Sequence, residues 1–312
     1  MKLSQTVIRT IHRPLLTSEV RRTGISRTPR DGRNGLRLIY SGVWTSDDVT
    51  QDVECPRFGA DDPDWLELRT RAAALQRLFP DARPGRRTGA YLRGLPVSTD
   101  TSLLQISRRA GTGLIRRPGI DTLRTKHHGD HPTAGILVQP TAFLIVELTR
   151  ILQPVDIVYL LDAVMGPWHG PPEATKAEIR AFADALGNFR GRRNLLTALE
   201  TAREKVGSPR ETRLRLALEK AGLPTPVVGH PVTIPGFGTI HPDLAYPGIK
   251  LAIEYEGGHH FLDADQIEHD MQRYFYLTKA GWLVIRVSKY TALSWVLAEV
   301  REHIATKALP LY

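Results

Sequence analysis

The stretch that most restricts the fold is 208–288, where helical and strand patterns alternate in a fixed order. Ser208-Pro209-Arg210-Glu211 is typical of a helix start, with Ser at the cap, Pro in the first turn and Glu three residues after the cap. Gly222 ends this helix, and β-rich runs follow at 227–234, 239–246 and 250–256. A helix at 263–281, a β-rich run at 282–287 and a helix at 293–304 complete the predicted order α-β-β-β-α-β-α.

Acidic residues recur on the strands of this region. Alternate residues of a strand share a face, so Glu254 and Glu256 are expected to project together. Carboxylates on one face are costly unless something neutralises them, and a few of them with water make a site for Mg²⁺ or Mn²⁺. The sequence therefore predicts a metal site built from Asp243, Glu254 and Glu256, with the water-activating chemistry of a nuclease.

The position of Asp243 relative to this face depends on the turn that joins its strand to the next. Residues 247–248, Pro-Gly, are typical of the centre of a tight turn. Such a turn pairs Tyr246 with Ile249, which predicts that Asp243 lies one diagonal step from Glu254, at about 7 to 8 Å between backbones.

Two glycines and two histidines follow the acidic strand. Gly257 and Gly258 let the backbone approach a ligand closely, and His259 and His260 would then lie at the mouth of the same site. A histidine can act as acid or base near neutral pH, which makes His260 a candidate proton carrier.

Each of these residues also has an interpretation without catalysis. Glu211 can serve only as a helix-capping residue, and Asp243 can be a turn residue that follows Pro242. Glu254 and Glu256 can form the solvated face of an edge strand, and the two histidines can be ordinary surface residues. The metal-site hypothesis depends on the coincidence of all of them.

Composition narrows the class of protein. A chain of 312 residues with 41% hydrophobic and 24% charged side chains is globular and long enough for more than one domain. Cys55 is the only cysteine, which excludes a disulfide or a cysteine-based zinc site within one chain. The sequence has neither a run of 18 apolar residues nor a signal-peptide pattern, so we expect a cytoplasmic protein without membrane contact.

Positive charge is concentrated in the first two thirds of the chain. The net charge is +9, and residues 207–312 hold 11 basic and 11 acidic side chains, so the whole excess lies in 1–206. Residues 1–40 alone contain nine basic residues against two acidic ones, which is typical of a phosphate-binding surface and makes Arg21, Arg22 and Arg27 candidates for contact with nucleic acid. A solvated basic tail is the alternative.

The pattern before residue 207 is mixed. A short helix followed by the alternating run 35–44 is consistent with a small winged-helix module. The predicted class is α+β and multidomain, with domains at 1–45, 46–206 and 207–312. Helices are predicted near 65–79, 140–152, 155–165, 174–186 and 190–205.

Residues 208–288 resemble the very-short-patch-repair (Vsr) endonuclease-like branch of the PD-(D/E)xK nuclease superfamily. The resemblance lies in Pro-Asp-Leu-Ala-Tyr-Pro at 242–247, Leu-Ala-Ile-Glu-Tyr-Glu-Gly-Gly-His-His at 251–260, Asp-Met-Gln-Arg at 270–273 and Gly-Trp-Leu-Val-Ile-Arg-Val at 281–287. It implies a restriction-endonuclease-like core with the order α-β-β-β-α-β and a Mg²⁺-dependent activity on DNA.

The resemblance assigns roles to the acids. Asp243 and Glu254 would bind the metal, Glu211 would help to position metal or water, and His260 would be the histidine two residues beyond the glycine turn. Glu256 departs from the wider superfamily, which carries at this position a lysine that activates water; this branch usually has an acid there.

The resemblance also assigns roles to basic residues of the same domain. Asp270 and Arg273 match a pair on the following helix that supports the site or contacts backbone phosphate. Arg286 matches the basic residue of the last strand. Arg273 and Arg286 are therefore added to the candidates for nucleic-acid contact.

The N-terminal part is similar, over less specific motifs, to the antitoxin-type winged-helix proteins that are often fused to such a nuclease-like domain. The runs 38–44 and 138–163 carry this similarity. A winged helix places a basic helix in a DNA groove and its strand ribbon on the backbone, in keeping with the basic segment 1–40.

Two functions of different classes follow from the sequence. One is a DNA-binding protein whose C-terminal domain hydrolyses phosphodiester bonds with Mg²⁺, which the retained acids favour. The other is a non-catalytic, antitoxin-type transcriptional regulator with a degenerate nuclease fold, which the missing lysine favours. A structural partner within a toxin–antitoxin complex is a third reading.

Overall fold

The structure, a computed structural model, describes residues 13–22, 36–46, 62–168, 170–256 and 264–308. Over these ranges helices are mixed with five small sheets, so the predicted α+β class is confirmed. No helix within the described ranges is both long and apolar enough to cross a membrane.

The chain folds into two compact units. Unit 1 comprises Met1–Leu160 and Ile179–Ala198, and unit 2 comprises Leu161–Glu178 and Leu199–Tyr312. These bounds differ from the three-part division at 45/46 and 206/207 expected from the sequence, which stays a prediction.

Within the described residues, unit 1 contains short strands and four complete helices. Its strands are β1 (Leu15–Leu16), β2 (Leu36–Tyr40), β3 (Val43–Ser46), β4 (Arg83–Pro84), β5 (Leu104–Arg109), β6 (Ile120–Thr125), β7 (His131–Thr133) and β8 (Ile136–Val138). Its helices are α1 (Thr17–Arg22), α2 (Pro63–Leu78), α3 (Arg86–Leu92) and α4 (Thr141–Leu148). Three further helices each contain a boundary between the units: α5 (Pro154–Met165), α6 (Lys176–Leu186) and α7 (Arg192–Thr201).

Strands from each described sheet of unit 1 contact helix α2. Strands β1, β3 and β2 form one antiparallel sheet in that order, and β4, β5 and β6 form a second in which β5 and β6 are parallel. Helix α2 begins where the Asp62 carboxylate accepts hydrogen bonds from the N–H groups of Asp64 and Trp65, and Pro63 occupies the first turn. Trp65 is fully buried in the core and donates its indole N–H to the Leu92 carbonyl at 3.1 Å.

Unit 2 contains the predicted α-β-β-β-α-β-α region with more strands than expected. Its elements are α8 (Pro209–Lys220), β9 (Val227–Val228), β10 (Val232–Ile234), β11 (Gly238–Ile240), β12 (Leu244–Tyr246), β13 (Leu251–Tyr255), α9 (Ala264–Lys279), β14 (Leu283–Val287) and α10 (Leu293–Ala308). Strands β14, β13, β12 and β9 form one sheet in that order, whereas β10 and β11 form a separate two-stranded sheet.

The expectation of single strands at 227–234 and 239–246 was wrong, because each of these runs is divided in two. Gly229 has a left-handed backbone with φ of 56°, and Pro231 follows it. Pro242 lacks an N–H group for the second run. These residues interrupt the two runs. Of the four short strands that result, only β9 and β12 belong to the larger sheet.

The two faces of the larger sheet pack against different helices. Leu244 and Ile253 belong to a buried cluster with aliphatic residues of α8 and α10. Ala245 and Ala252 belong to another cluster with Leu277 of α9. Because neighbouring residues of a strand point to opposite faces, this packing fixes which side chains of β12 and β13 are directed toward α9.

Candidate active site

Glu211 lies in the first turn of α8, where the helix cap holds it. Ser208 accepts a hydrogen bond from the Glu211 N–H at 3.3 Å, and the Glu211 carboxylate accepts one from the Gly207 N–H at 2.8 Å. Glu211 therefore makes contacts at the helix cap, and the interpretation that it serves only as a capping residue stays a prediction. The carboxylate is also buried, and burial together with the nearby Asp162 raises its pKa above the usual value.

Asp243 immediately precedes β12, at a position set by the pairing of β12 with β13. Leu244 pairs with Ile253, and one step further along the same register Asp243 comes opposite Glu254. The Asp243 carboxylate accepts a hydrogen bond from the Tyr255 N–H at 2.7 Å. Side chains directly opposite each other in an antiparallel pair have Cβ atoms about 4.5–5.5 Å apart, which brings the two acids within reach of one ion.

The diagonal arrangement expected from the sequence was wrong by this register. Tyr246 pairs with Leu251 rather than with Ile249. A short 3₁₀ turn at Pro247–Ile249 and a left-handed Lys250, with φ of 51°, lengthen the connection between the strands. The longer connection shifts the pairing by two residues, so the two acids face each other more directly than predicted.

The environment of Asp243 favours the protonated acid. Burial is the largest cause, the nearby Glu211 carboxylate adds to it, and together they raise the pKa of Asp243 to about 7. The Tyr255 N–H and the Arg273 guanidinium act in the opposite direction but are weaker. The ionised carboxylate is therefore under-compensated at this position.

Glu254 lies on β13, on the face that is directed toward α9. Arg273 of α9 donates a hydrogen bond from Nη2 to Glu254 Oε1 at 3.0 Å. Burial raises the pKa of Glu254, and Asp243 and Asp270 add to the effect, while Arg273 opposes it. The predicted Asp270 and Arg273 pair therefore acts on this acid from the neighbouring helix.

Glu256 is oriented differently from the other acids. Its carboxylate forms an ion pair with Arg286 of β14, the strand that runs parallel to β13 and pairs Arg286 with Glu254. The guanidinium of Arg286 lies over the Tyr274 ring, 5.8 Å from its centroid. A part for Glu256 in metal binding stays a prediction.

Some of the other predicted site residues lie within the described ranges and some lie outside them. Arg21 and Arg22 are exposed in α1. Arg27 and His260 lie outside the described residues. Arg273 is engaged with Glu254, so a contact between Arg273 and nucleic acid would have to compete with that ion pair.

Two carboxylates of this site suit a divalent cation. Mg²⁺ is commonly bound through one or two carboxylates together with water and substrate phosphates, which is what Asp243 and Glu254 can offer. Burial is the largest cause of the raised pKa of both acids, and the neighbouring carboxylates add to it. Within the described ranges, no group of three His, Cys, Asp or Glu side chains is arranged to hold a metal ion. The Glu211 carboxylate accepts a hydrogen bond from the Gly207 N–H.

Asp162 of α5 is a residue that the sequence reasoning missed. It accepts hydrogen bonds from Arg215 and Thr212 of α8, at 2.8 and 2.9 Å, and from the Arg203 N–H at 2.8 Å. Asp162 and Arg215 are both fully buried, so this pair fixes the helix that carries Glu211. The available signal was an acid inside the mostly apolar sequence of α5, which requires a buried partner.

The comparisons with known proteins find relatives of limited similarity. The chain is 27% identical over 157 residues to "Uncharacterized protein MT2308" of Mycobacterium tuberculosis strain CDC 1551 / Oshkosh and, equally, to "Uncharacterized protein Rv2248" of strain ATCC 25618 / H37Rv. The match covers 49% of this chain and 55% of each relative, so the chain spans about half the length of the curated relatives it matches. No family model matches the chain. No solved structure matches it.

Proposed function

We propose that the chain is a DNA-binding protein whose C-terminal part is a Vsr-like, Mg²⁺- or Mn²⁺-dependent endonuclease of the PD-(D/E)xK type. The observation that carries this proposal is the placement of Asp243 opposite Glu254, with the pKa of both acids raised. The order α8, β9, β12, β13, α9, β14, which leaves out the separate β10–β11 sheet, also supports it, because it agrees with the α-β-β-β-α-β order of that nuclease core.

Asp243 and Glu254 would hold the divalent cation between neighbouring strands. The bound cation would neutralise charge on the scissile phosphate and activate water. The Tyr255 N–H fixes the orientation of the Asp243 carboxylate, and Arg273 fixes that of Glu254. Glu254 is thereby held within strand β13, and Asp243 is held at the start of β12, which favours precise positioning of substrate.

Charged groups around the two acids have supporting roles in this proposal. Glu211 lies near enough to Asp243 to raise its pKa, so it is suited to orient a water molecule. Arg286 would contact a phosphate oxygen once released from Glu256, because arginine binds phosphate in a planar, two-pronged geometry. His260 keeps its proposed role as proton carrier on the basis of the sequence alone.

The proposed DNA-binding function of the N-terminal part rests on charge and strand order. Strands β1, β3 and β2 form an antiparallel sheet in that order, with α1 following β1 in the chain, which is consistent with a winged-helix module. Arg21 and Arg22 in the last turn of α1 are exposed and available to phosphate. We extend the proposal to Arg27 from the sequence.

The second candidate function is a non-catalytic, antitoxin-type regulator, alone or with a toxin partner. The ion pair between Glu256 and Arg286 favours it, since the position that carries a lysine in the wider superfamily is here occupied by an acid whose partner is an arginine. Both functions predict salt-sensitive DNA binding, so binding alone does not separate them.

Cleavage in the presence and absence of metal tests the proposal. Supercoiled plasmid is incubated with the full chain and 5 to 10 mM Mg²⁺ or Mn²⁺ (on the order of millimolar, because Mg²⁺ dehydrates reluctantly), or with a chelator. We expect nicking by the wild type and at least a hundredfold loss in an Asp243→Asn, Glu254→Gln double variant, a loss of the size that removing a central electrostatic group causes, about 10²–10³.

A matched charge change provides the control. Glu299→Gln with Glu302→Gln removes two acids from α10, where neither acid belongs to the site, and should leave cleavage unchanged. Equal nicking by the wild type and the Asp243→Asn, Glu254→Gln variant would assign the activity to another source. Absence of cleavage by the wild type with either metal, on single-stranded and duplex DNA, would favour the regulator.

A further inference from the structure

The outer face of α9 is an exposed aromatic and cationic surface next to the acids. Phe275 and Tyr274 are 57% and 44% exposed, and Met271 is 63% exposed, whereas Leu277 on the opposite side of the helix is fully buried. Residues spaced three and four apart share a helix face, so these three side chains form one continuous patch. A helix normally buries its apolar face, and here Met271, Tyr274 and Phe275 are directed away from the core.

Two cations lie over the aromatic rings of this patch. Lys279 Nζ is 5.8 Å from the centroid of Phe275, and the guanidinium carbon of Arg286 is 5.8 Å from the centroid of Tyr274. An open concavity of about 500 Å³ is lined by Met271, Tyr274, Phe275, Thr278, Lys279 and Arg286. We call these six residues the α9 platform. None of the six is acidic.

The α9 platform is continuous with the candidate active site. Arg286 is one of its lining residues and also forms the ion pair with Glu256. The same residue pairs in register with Glu254 across β13 and β14. A ligand that contacts Arg286 on the platform would therefore lie next to β13, the strand that carries Glu254.

We propose that the α9 platform binds the unpaired bases of a single nucleic-acid strand and leads that strand toward Asp243 and Glu254. Exposed aromatic rings stack on bases, and lysine and arginine neutralise the phosphates between them. The bases of a regular duplex already stack on each other, so the aromatic rings are matched to a strand without a partner. An apolar protein segment would not require two cations over the rings, and an acidic one would leave the rings unused.

This inference rests on the proposed function in one respect, which is that the bound strand leads toward Asp243 and Glu254. Stacking of bases on the platform can be measured without cleavage. A single strand of DNA and one of RNA offer the same bases and phosphates, and the platform chemistry does not distinguish them. The experiment therefore includes both.

Photo-crosslinking locates the bound base directly. The full chain is mixed, with chelator present, with a 20-nucleotide thymidine strand that carries 5-iododeoxyuridine, or with the corresponding iodouridine RNA, and is irradiated with long-wavelength ultraviolet light. Crosslinking requires the halogenated base to lie in contact with the side chain to which it becomes attached. We expect adducts on the peptide that contains Tyr274 and Phe275, and their loss in a Tyr274→Ala, Phe275→Ala variant.

Affinity provides a second measurement. Stacking contributes about 1–3 kcal/mol per base, so the double variant should bind the fluorescein-labelled thymidine strand at least about fivefold more weakly, while affinity for a 20-base-pair duplex changes less than twofold. The control is Tyr290→Ala with Trp295→Ala, which removes two exposed aromatic residues of unit 2 that do not line the platform.

Three results would overturn the inference. Adducts confined to other peptides would show that the strand lies elsewhere. Equal weakening of single-strand and duplex binding would indicate general damage or a duplex contact. A change of solution mass in the double variant without a change in adducts would show that the platform binds a second copy of the chain. Plasmid cleavage that depends on Asp243 and persists in any of these cases would leave the proposed function intact while the inference fails.

Discussion

Asp162 and Asp243 are acids of unit 2, the first fully buried and the second half-buried, and they are surrounded by different partners. Asp162 is fully buried and receives a guanidinium, a hydroxyl and a backbone N–H from Arg215, Thr212 and Arg203. Asp243 receives the Tyr255 N–H and lies near a second carboxylate, Glu211. The comparison separates an acid that holds helices together from an acid that we propose to bind a ligand.

Burial raises the pKa of both acids, but the opposing interactions differ. At Asp162 the charge of Arg215 and three hydrogen bonds counteract burial. At Asp243 the Glu211 carboxylate adds to burial, and the pKa rises to about 7. A folded protein tolerates such an uncompensated site where function requires it, which supports the assignment of Asp243 rather than Asp162 to chemistry.

The largest expected effect is at Asp162. Replacing Asp162 by alanine leaves the Arg215 guanidinium buried without its carboxylate, and breaking a buried pair by removing one partner costs about 3–5 kcal/mol. We expect the free energy of unfolding in urea to fall by this amount at neutral pH. Asp162 holds α8 in place, and α8 carries Glu211. We therefore expect Asp162→Ala to reduce cleavage only to the extent that Glu211 is displaced.

A second variant separates the unpaired charge from general loss of packing. Asp162→Ala combined with Arg215→Met removes both members of the pair and should recover part of the lost stability. Equal destabilisation by the single and the double variant would contradict the view that the unpaired arginine carries the cost.

The next effect, of opposite sign, is at Asp243. The pKa of Asp243 in the folded chain, about 7, lies above its unfolded value of 3.8, so the folded state holds the extra proton and its stability falls as pH rises from about 4 to about 7. Each unit of pKa is worth about 1.4 kcal/mol, and partial exposure reduces this, so Asp243→Asn should stabilise the chain by on the order of 2 kcal/mol at pH 8. Asparagine also keeps an oxygen for the Tyr255 N–H.

The pH dependence is the check on this prediction. Thermal or urea unfolding of wild type and Asp243→Asn in metal-free buffer should give nearly equal stability at pH 4 and a clear gain for the variant at pH 8. Asp184→Asn, at an acid that is largely exposed in its ion pair with Arg192, is the control and should show no such gain. A loss of stability at pH 8 for Asp243→Asn would mean that Asp243 is compensated like Asp162.

The smallest effect is at Arg273, which pairs with Glu254 at 3.0 Å while both side chains are partly exposed. Arg273→Met should raise the pKa of Glu254 further and lower stability by at most about 1 kcal/mol at pH 8, because the ionised form of the carboxylate loses its cation. At pH 4 the carboxyl is protonated with or without arginine, so the effect should vanish. Lys307→Met in the last turn of α10 is the control for removal of a positive charge. An equal loss of stability in Arg273→Met at pH 4 and at pH 8 would show that the ion pair with Glu254 contributes nothing.

Local signals in the sequence predicted the helix that carries Glu211. Ser208 caps α8, Pro209 lies in its first turn and the helix ends before Gly222, because each of these residues has a strong local preference. The alternating pattern placed Glu254 on a strand, as observed in β13, whereas Asp243 lies just before β12 rather than within the predicted strand 239–246. Elements with clear local determinants were therefore predicted close to their observed bounds.

The register of β12 and β13 was not predictable in this way. Pro247 and Gly248 suggested a two-residue turn, but Lys250 adopts a left-handed backbone that few residues other than glycine favour. Tertiary packing of the sheet overrides this local preference. A change of two residues in register is what brings Asp243 opposite Glu254.

The buried pair of Asp162 and Arg215 depends on contacts between residues 53 positions apart. Its members are separated by two helices, and a single sequence gives no sign of which acid meets which arginine. The position of Asp162 within a mostly apolar helix sequence was the only local indication that it needs a partner. Its role in fixing α8 became visible only from the structure.

Calorimetric titration of Mn²⁺ at pH 8 tests the central claim most directly, because Asp243 is then ionised. The account predicts one binding site in the wild type and in the Glu299→Gln, Glu302→Gln control, and its loss in Asp243→Asn with Glu254→Gln. Binding that survives in the latter variant, or no binding by the wild type, would contradict the assignment of Asp243 and Glu254 as a metal site.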